Sequence, residues 1–439
     1  MGKEKKEVIE SDNQQLKALL IATYKGGLSH KPACEEHLDE LELLAETYGI
    51  KTIQKIPCPI RKIDASIFIS SGKLEEFVQL AKDLEVDSVI FDEEMTPAQQ
   101  RNLEQAFGIR VMDRTEIILG VFAQRAQTKE ARLQIELAQV KYQAPRLKNM
   151  WTHLERQAGT GGGGGYLKGM GEKQIEVDRR LLKNRIEKLQ SELKEVRLNR
   201  ETQRSARTRS DIPIFAIIGY TNAGKSTLLN ALTNANVFVE DKLFATLDTT
   251  TRKFMLGNNQ QVLLIDTVGF IRKLPHLLVA AFKSTLEEAM QADILLHLVD
   301  ASHPMAEEQA ETSYQVLKQL NSEEKPIITV LNKIDKCSDP SMLTRLRIKY
   351  PKTVQISALE RRGFEELQEA MVQELNAQRR PVRMRIPQSD YAVVSEVMRL
   401  GHILRKEYDE NDVLLQVTLP IVVMDRFKSY VLPEKKEKS

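Results

Sequence analysis

The sequence predicts an α/β protein in four parts, and three observations carry this prediction. Two separate stretches alternate short apolar runs with helical patterns, which favours two α/β domains with largely parallel sheets. Between them, apolar residues recur at spacings of three and four, which is typical of paired helices. We expect an N-terminal α/β domain (1–115), a long antiparallel helical hairpin (116–211), a central doubly wound α/β domain (212–378) and a small C-terminal α+β domain (379–439).

The composition is that of an ordinary globular protein. Its 439 residues are 41% hydrophobic and 29% charged, which excludes a wholly disordered chain. The net charge is only +2, so overall charge identifies no partner. No apolar run approaches the roughly 18 residues of a membrane span, and the N-terminus lacks an apolar signal segment. Cys34, Cys58 and Cys337 lie far apart without metal-ligand spacing, so we expect reduced thiols and a cytoplasmic protein.

The N-terminal part reads as alternating strands and helices. Three buried strands are predicted at ALLIATY, DSVIFD and IRVMD. Two helices are predicted at LEEFVQLAKDL and PAQQRNLEQAF. The second has a clear start, because Thr96 is a good N-cap, Pro97 suits the first turn and Gln99 can complete a capping box. This alternation predicts a small α/β domain.

Two apolar seams separated by a glycine-rich segment predict the helical hairpin. The first seam consists of Leu133, Leu137, Val140, Ala144, Leu147, Trp151 and Leu154. The second consists of Ile175, Leu182, Ile186, Leu189, Leu193 and Val196. The intervening AGTGGGGGYLKGMG disfavours helix, because each glycine costs about 1 kcal/mol there. We therefore expect a glycine-rich tip, and a kink in the first helix near Pro145.

The central part contains five strongly apolar strands, each followed by loop residues and then by a helical pattern. They are IPIFAIIG, VLLID, ADILLHLVD, KPIITVLN and TVQIS. This pattern predicts a doubly wound sheet, which binds its ligands at the carboxyl ends of the strands. The last part has a strand-like MRIP, a helix-like YAVVSEVMRLG and two strands, HILRKEYD and DVLLQVTLP, around a turn at Glu410 and Asn411.

A phosphate-binding loop follows the first central strand. Its sequence, GYTNAGKST, fits G-x-x-x-x-G-K-[ST], in which backbone N–H groups surround phosphates, the lysine neutralises the β- and γ-phosphates and the serine reaches Mg²⁺. The alternative is a plain glycine turn before a helix. The predicted nucleotide-binding residues here are Gly219, Tyr220, Thr221, Asn222, Ala223, Gly224, Lys225, Ser226 and Thr227.

Three further motifs at successive strand ends favour GTP over ATP. The carboxylate that ends VLLID suits Mg²⁺-bound water, and the glycine three residues later suits the γ-phosphate. An aspartate in NKID can accept hydrogen bonds from guanine N1–H and N2–H₂, which adenine lacks, and a backbone N–H of SAL can reach guanine O6. These motifs comprise Asp266, Thr267, Val268 and Gly269; Asn332, Lys333, Ile334 and Asp335; and Ser357, Ala358 and Leu359. We assign catalytic roles to Lys225, Asp266 and Gly269.

The segment LFATLDTTTR must supply a second hydroxyl to Mg²⁺. Thr246, Thr249, Thr250 and Thr251 are all candidates, and spacing does not choose among them. A threonine-rich run is otherwise most often the solvated edge of a sheet.

These motifs together resemble a P-loop GTPase of the translation-factor class, and the chain is similar to the HflX family of ribosome-associated GTPases. LFATLDTTTR, DTVGFIRKLPHLLVAAFKSTLEEA and MWTHLERQAGTGGGGG…GEKQIEVDRRLLKNRI carry the resemblance over nearly the whole chain. It implies that Thr246 joins Ser226 on Mg²⁺, and that the protein binds the rRNA of the large ribosomal subunit and dissociates stalled or idle ribosomes. The segment around Thr246 that joins the nucleotide site comprises Phe244, Ala245, Thr246, Leu247 and Asp248.

The chain departs from the family pattern at two places. The family usually continues its glycine segment with Arg-Gly-Pro-Gly-Glu-Thr-Gln, where this chain has KGMGEKQ at 168–174. The proline that follows FATLD in the family is Thr249 here. The first change puts the ribosomal contacts of the tip in doubt, and the second should loosen the segment without removing Thr246.

The hydrolytic step lacks an obvious group to orient water. Phe270 stands after Gly269, where many GTPases have glutamine. Either another residue, a cation or the ribosome positions the water, or Phe270 simply packs in the core and a different polar group acts. Asn222 is a candidate ligand for K⁺, as in related GTPases without the glutamine; the alternative is that it hydrogen-bonds its own loop.

The hairpin carries a local basic excess. Residues 172–209 contain twelve basic and seven acidic residues, an excess of five. Such a face can lie along an RNA backbone, but mixed charges are also normal on a solvated coiled coil. Tyr166 could stack on an unpaired base or pack on the hairpin.

We expect a monomeric GTPase that binds GTP and GDP with Mg²⁺ and acts on ribosomes. Two other functions stay open: a GTPase for ribosome assembly or tRNA modification, and a non-catalytic nucleotide-binding adaptor. Lys225, Ser226 and Asp266 favour catalysis over the adaptor.

Overall fold

The computed structural model describes residues 15–158, 177, 180–196, 198, 212–233, 243–244, 247, 249–258, 260–275, 278, 292–320 and 324–432. The predicted glycine-rich tip and Tyr166 lie outside these residues, as do Ala245, Thr246 and Asp248. Within the described part of the chain, no helix combines the length and apolar character needed to cross a bilayer.

The N-terminal sheet has four parallel strands in the order β2-β1-β3-β4. Its three predicted strands and two predicted helices are confirmed, and helix α3 starts with the predicted capping box of Thr96 and Gln99. The elements are β1 (Lys17–Tyr24), α1 (Lys31–Tyr48), β2 (Lys51–Pro59), α2 (Ser71–Asp83), β3 (Ser88–Phe91), α3 (Pro97–Phe107), β4 (Arg110–Asp113) and α4 (Arg114–Arg125).

Two long helices follow. Helix α5 (Lys129–Ala158) continues through Pro145, and residues 180–196 form α6. The described parts of the two predicted seams pack together in one cluster, and Arg185 Nε donates to Glu136 at 2.8 Å beside it. The cluster contains Leu133, Leu137, Val140, Leu189, Leu193 and Val196.

The central sheet has six strands in the order β10-β9-β8-β5-β7-β6. All pairs are parallel except β6 with β7. The strands are β5 (Ile214–Gly219), β6 (Thr250–Met255), β7 (Gln261–Asp266), β8 (Ile294–Asp300), β9 (Ile327–Asn332) and β10 (Thr353–Gln355). The helices are α7 (Lys225–Thr233), α8 (Ala306–Gln319), α9 (Pro340–Lys349) and α10 (Phe364–Ala377).

The last part forms a three-stranded antiparallel sheet in the order β11-β13-β12. Alternate residues of β13 are fully buried, which places one face of this sheet against a helix and a 3-10 segment. The elements are β11 (Arg379–Pro387), α11 (Tyr391–Leu400), β12 (His402–Asp409), β13 (Asp412–Pro420) and the 3-10 helix Ile421–Tyr430.

One apolar core joins the N-terminal and central parts. Buried residues of α1, α4 and α5 pack in the same cluster as residues of β5 and of the segments around 243–247 and 268–271. The rings of Phe122 and Phe244 lie 4.4 Å apart between centroids. The N-terminal domain therefore packs directly on loops that border the predicted nucleotide site.

Candidate guanine nucleotide site

The four predicted motifs lie at the carboxyl ends of β5, β7, β9 and β10. Because these strands are parallel within one sheet, their ends meet along one edge. The fold thus brings together residues that are up to 140 positions apart in the chain: Gly219 begins the first motif and Leu359 ends the last.

Glycine is required at both ends of the phosphate-binding loop. Gly219 and Gly224 have φ of 147° and 93°, which side chains disfavour. A Cβ at Gly219 would lie 2.2 Å from the carbonyl oxygen of Leu298, and one at Gly224 would lie 2.4 Å from Asn332 Nδ2. The loop therefore folds tightly against the neighbouring strands.

Lys225 is buried at the start of α7, and its Nζ donates to the carbonyl oxygen of Tyr220 at 2.8 Å. Burial lowers the pKa of Lys225 to about 8, while the nearby Asp266 carboxylate acts in the opposite direction. A buried ammonium group gains when anionic phosphate oxygens surround it. Lys225 is thus suited to binding phosphate.

Oxygen ligands suitable for Mg²⁺ lie beside the lysine. Ser226 Oγ donates to Asp266 Oδ2 at 2.6 Å, so a hydroxyl and a buried carboxylate meet where the magnesium site is expected. Mg²⁺ prefers such hard oxygen ligands. Thr250 and Thr251 belong to the edge strand β6, which agrees with the alternative that these two threonines are part of a sheet edge. Thr246 is outside the described residues.

Asn332 connects the base-binding motifs to the phosphate-binding loop. Its Nδ2 donates to the carbonyl oxygen of Ala223 at 2.8 Å, and its Oδ1 accepts from the backbone N–H of Ala358 at 3.0 Å. Lys333 forms an ion pair of 2.7 Å with Asp300. Within the described structure, Asp335 Oδ1 is buried and has no hydrogen-bond partner. This free acceptor matches the N–H groups of guanine.

The remaining predicted residues support the loops. Thr267 Oγ1 donates to the carbonyl oxygen of Ile217 at 2.8 Å, and Ser357 Oγ accepts from the N–H of Glu360 at 3.1 Å. Leu359 is largely exposed. Phe244, Leu247 and Val268 are buried in the core shared with the N-terminal domain. Ile334 N–H donates to Ile356 at 3.4 Å, and Thr227 lies in the first turn of α7.

Phe270 is buried in that same core. Its backbone N–H donates to Gly219 at 3.0 Å, and its carbonyl oxygen accepts from Thr221 N–H at 2.7 Å. The structure thus agrees with the expectation that Phe270 packs in the core, and its side chain is not placed to orient water. These bonds hold residues 266–275, the switch segment, against the phosphate-binding loop.

The N-terminal domain also contacts the switch segment through Tyr220. The Tyr220 hydroxyl donates to Glu40 of α1 at 2.5 Å and accepts from the backbone N–H of Arg272 at 2.7 Å. Burial raises the pKa of Tyr220 well above its usual value, and the Glu40 carboxylate raises it further. One neutral hydroxyl thereby joins three elements: α1, the phosphate-binding loop and the switch segment.

A buried carboxylate holds two cations of the switch segment. Asp92, directly after β3, accepts from Arg272 Nη2 at 2.7 Å, Lys273 Nζ at 2.8 Å and Arg114 Nη1 at 2.8 Å. Burial alone would raise the pKa of Asp92, but these three cations outweigh it and hold the pKa below its usual range. Arg114 also donates to Glu40 at 2.9 Å. We call these five residues the interdomain charge cluster.

The neighbouring strand end holds helix α5. Asp113, at the end of β4, accepts from the Tyr142 hydroxyl at 2.8 Å and from Arg146 Nη2 at 3.1 Å. The Arg146 guanidinium also lies 3.4 Å from the centre of the Tyr142 ring. The middle of α5 is thus fixed to the same sheet edge that contacts the switch segment.

Sequence reasoning missed the interdomain charge cluster. Its only local signals were the acid that ends DSVIFD, Asp92, and a basic pair, Arg272 and Lys273, after DTVGF. Asp92 and Arg272 are separated by 180 positions, and no spacing rule pairs them.

Comparisons with known proteins agree with this site. The family model described as GTP-binding GTPase N-terminal matches residues 35–123, and GTP-binding GTPase Middle Region matches 125–207. A third, described as 50S ribosome-binding GTPase, matches 214–333, which includes the first two of the four nucleotide motifs and the start of the third.

Full-length relatives extend the match beyond single domains. A GTPase HflX from Chlamydia pneumoniae is 47% identical, with 97% of this chain and 90% of the relative covered. The GTPase HflX of Escherichia coli strain K12 is 43% identical, with 88% and 90% covered. A solved GTP-binding protein from the archaeon Sulfolobus solfataricus in complex with GDP is 27% identical over 82% of this chain and 98% of that one, with a TM-score of 0.44. Because the relatives match across both the nucleotide motifs and the N-terminal domain that contacts them, this chain is a GTPase and belongs to the HflX family.

Proposed function

We propose that this GTPase is a cytoplasmic monomer that binds the rRNA of the large ribosomal subunit in its GTP form and separates stalled or idle ribosomes. Hydrolysis to GDP and phosphate then releases it. One observation carries the proposal: the switch segment and the middle of helix α5 contact adjacent strand ends of one N-terminal sheet. The family model described as 50S ribosome-binding GTPase supports the choice of partner.

The contacts give a physical route from nucleotide to hairpin. The γ-phosphate orders the switch loops of GTPases, and its loss releases them. Asp92 binds the switch segment, and Arg114 joins Asp92 to the start of α4, directly after Asp113. Asp113 in turn holds Arg146 of α5. A shift of the switch segment would therefore alter the contacts that hold helix α5.

We propose that α5 and α6 form an antiparallel hairpin whose glycine-rich tip reaches the ribosome. The packing of Leu133 on Leu189 and Leu193 supports side-by-side helices. The units 1–115, 116–211, 212–378 and 379–439 would then act as an anchor, a ribosomal probe, a nucleotide switch and an accessory domain.

The nucleotide is held by residues of the central domain. Asp335 reads the guanine N1–H and N2–H₂ groups, Lys225 neutralises the phosphates, and Ser226 with Thr246 holds Mg²⁺. Mg²⁺ held by Ser226 and Thr246 would supply positive charge that offsets the negative charge developing during hydrolysis. Gly269 presents its backbone N–H to the γ-phosphate.

The proposal is tested by measuring GTP turnover with and without large ribosomal subunits, together with subunit profiles in density gradients. We expect subunits to accelerate turnover, and the GTP-bound protein to convert coupled ribosomes into free subunits. Lys225→Ala should lose both effects because it no longer binds the phosphates. A variant lacking Gly161–Gly165 should keep GTP binding but lose splitting.

Three results would contradict parts of the proposal. A GTP turnover rate that does not change when large subunits are added would argue against them as the partner. It would favour a GTPase of ribosome assembly or tRNA modification. Full splitting by the variant lacking Gly161–Gly165 would show that the tip has only a structural role. Binding of GTP without any turnover would leave only a nucleotide-binding adaptor.

We also propose that Asn222 binds a potassium ion beside the β–γ bridging oxygen, where positive charge stabilises the transition state. Asn222 has φ of 60°, a conformation that asparagine tolerates, so the alternative of a purely structural turn residue has support as well. Turnover should be faster in K⁺ than in Na⁺ at equal ionic strength, and Asn222→Ala should remove the difference while preserving nucleotide affinity. Equal rates in both salts would exclude the ion.

A further inference from the structure

One buried hydroxyl at the phosphate-binding loop has no partner. Thr221 is 6% exposed, and its Oγ1 makes no hydrogen bond to any described residue. Leaving a buried hydroxyl unpaired costs about 1–3 kcal/mol, so such groups are rare in native proteins and often have a functional role. Nearby threonine hydroxyls are paired: Thr267 donates to Ile217, and Thr233 donates to Leu229 at 2.7 Å.

The position of Thr221 is fixed by its backbone. Its N–H donates to the carbonyl oxygen of Phe270 at 2.7 Å, so Thr221 lies against the residue that replaces glutamine. The Phe270 side chain points away into the core and is 1% exposed. Thr221 is therefore the residue of the loop that carries a polar side chain beside Gly269 and Phe270.

Three residues converge on one point in the site. A Cβ built on Gly269 would lie 2.8 Å from Lys225 Nζ, 2.8 Å from Thr221 Cα and 2.9 Å from Thr221 Cγ2. In this motif the lysine contacts the β- and γ-phosphates. Thr221 is thus next to the space in which the γ-phosphate and the attacking water must meet.

Thr221 also borders a cleft that enters from the N-terminal domain. The cleft has a volume of about 100 Å³, and its lining includes Thr221, Asn222 and Arg272 together with His37 and Glu308. This volume holds a few water molecules. Water can therefore reach the Thr221 side of the loop.

We propose that Thr221 is a catalytic residue of GTP hydrolysis, whose hydroxyl holds the attacking water. Its Oγ1 accepts a hydrogen bond from that water and donates one to a γ-phosphate oxygen. The water oxygen bonds to the γ-phosphorus, the bond from the γ-phosphorus to the bridging oxygen of GDP breaks, and the proton of the water passes to the released phosphate. Thr221 stays neutral and aligns the water, which is how positioned groups lower a barrier.

The proposal is tested by single-turnover hydrolysis with Thr221→Val, Thr221→Ser and a matched control, Thr233→Val, which lies at the far end of α7. Valine has the same shape without the hydroxyl, so kcat should fall roughly 10- to 100-fold while GDP affinity stays within about two-fold of the wild type. Serine keeps the hydroxyl and should retain at least about half the rate. The control should be unchanged.

A second readout separates catalysis from folding. The complex of GDP with aluminium fluoride imitates the transition state, so Thr221→Val should weaken aluminium fluoride capture without weakening GDP. If valine disrupts folding, Thr221→Ala replaces it in the same comparison. The proposal would be overturned if Thr221→Val hydrolysed GTP at the wild-type rate. It would also be overturned if Thr221→Ser were as slow as Thr221→Val. All rates are measured in K⁺ and in Na⁺, so that a loss at Thr221 is distinguished from a loss of the ion at Asn222.

Discussion

The two sides of the nucleotide site are held in different ways. On the base side, contacts stay within the central domain: Asn332 joins Ala223 to Ala358. On the γ-phosphate side, the switch segment is held from outside by Glu40 and Asp92 of the N-terminal domain. We therefore expect recognition of guanine to be a local property, and the response to the γ-phosphate to be shared between two domains.

The largest expected effect comes from breaking the γ-phosphate side at Asp92. Asp92→Asn removes the carboxylate that Arg114 and Arg272 share and leaves only Glu40 to offset these two buried cations, so the free energy of unfolding should fall by about 3–5 kcal/mol. Urea denaturation measures this free energy of unfolding. Asp412→Asn is the control, because its pair with Arg385 at 2.5 Å is half-exposed and should cost less than about 1 kcal/mol. Equal losses in both variants would contradict the role of the charge cluster.

A substitution on the base side of the site should change nucleotide specificity without lowering the free energy of unfolding. Asp335→Asn replaces the acceptor for the guanine N–H groups by a donor, so GTP should bind roughly 100-fold more weakly, a loss of about 3 kcal/mol. Xanthosine triphosphate should bind better than before. Nucleotide titrations measure both, and the exposed neighbour Lys336→Gln serves as the control. GTP affinity that does not change would show that Asp335 does not read the base.

His297 of β8 gives a smaller, pH-dependent effect within the central domain. The imidazole is fully buried against Tyr314, and burial lowers its pKa to about 3. The unfolded chain takes up a proton below about pH 6.5 and the folded chain does not, so stability should fall as pH drops from 6.5 towards 3. The loss should be about 2 kcal/mol between pH 6.5 and 5. His297→Leu should flatten the pH dependence of the free energy of unfolding, whereas the control variant His30→Gln should leave it unchanged. The same pH dependence in His297→Leu as in the wild type would show that His297 is not its cause.

The smallest expected effect concerns the aromatic contact between the domains. Phe122→Leu keeps an apolar side chain but removes the ring pair with Phe244, whose centroids are 4.4 Å apart. The loss of this ring pair should lower the free energy of unfolding by about 1 kcal/mol. A double-mutant cycle with Phe244→Leu measures the coupling, and a coupling energy near zero would show that the rings are independent.

The elements that could be predicted from the sequence are those determined by residues close together in the chain. Each nucleotide motif is a short run after a buried strand, and the capping box at Thr96 is complete within four residues. Parallel strands then align such runs at one edge without further information. The position of these motifs at one sheet edge could therefore be predicted from the sequence.

What could not be predicted depends on contacts between distant segments. Strand β2 (Lys51–Pro59) lacks an apolar run because it is the exposed edge of its sheet. Strand β6 was anticipated only as an alternative, a solvated sheet edge, since its threonines were also candidate magnesium ligands. The charge cluster requires Asp92 and Arg272 to meet across domains, and the free Thr221 hydroxyl is visible only once its surroundings are known.

The most direct test of this division is amide hydrogen exchange in the complexes with GDP and with a non-hydrolysable GTP analogue. We predict that both nucleotides protect 219–227 and 330–336 equally, because the base side needs only guanine and the first phosphates. Exchange in 268–275 and in the N-terminal segment 88–95 should differ between the two complexes, because Asp92 holds the switch segment. Identical exchange of 88–95 in both complexes, with a difference confined to 268–275, would contradict the claim that the N-terminal domain responds to the γ-phosphate.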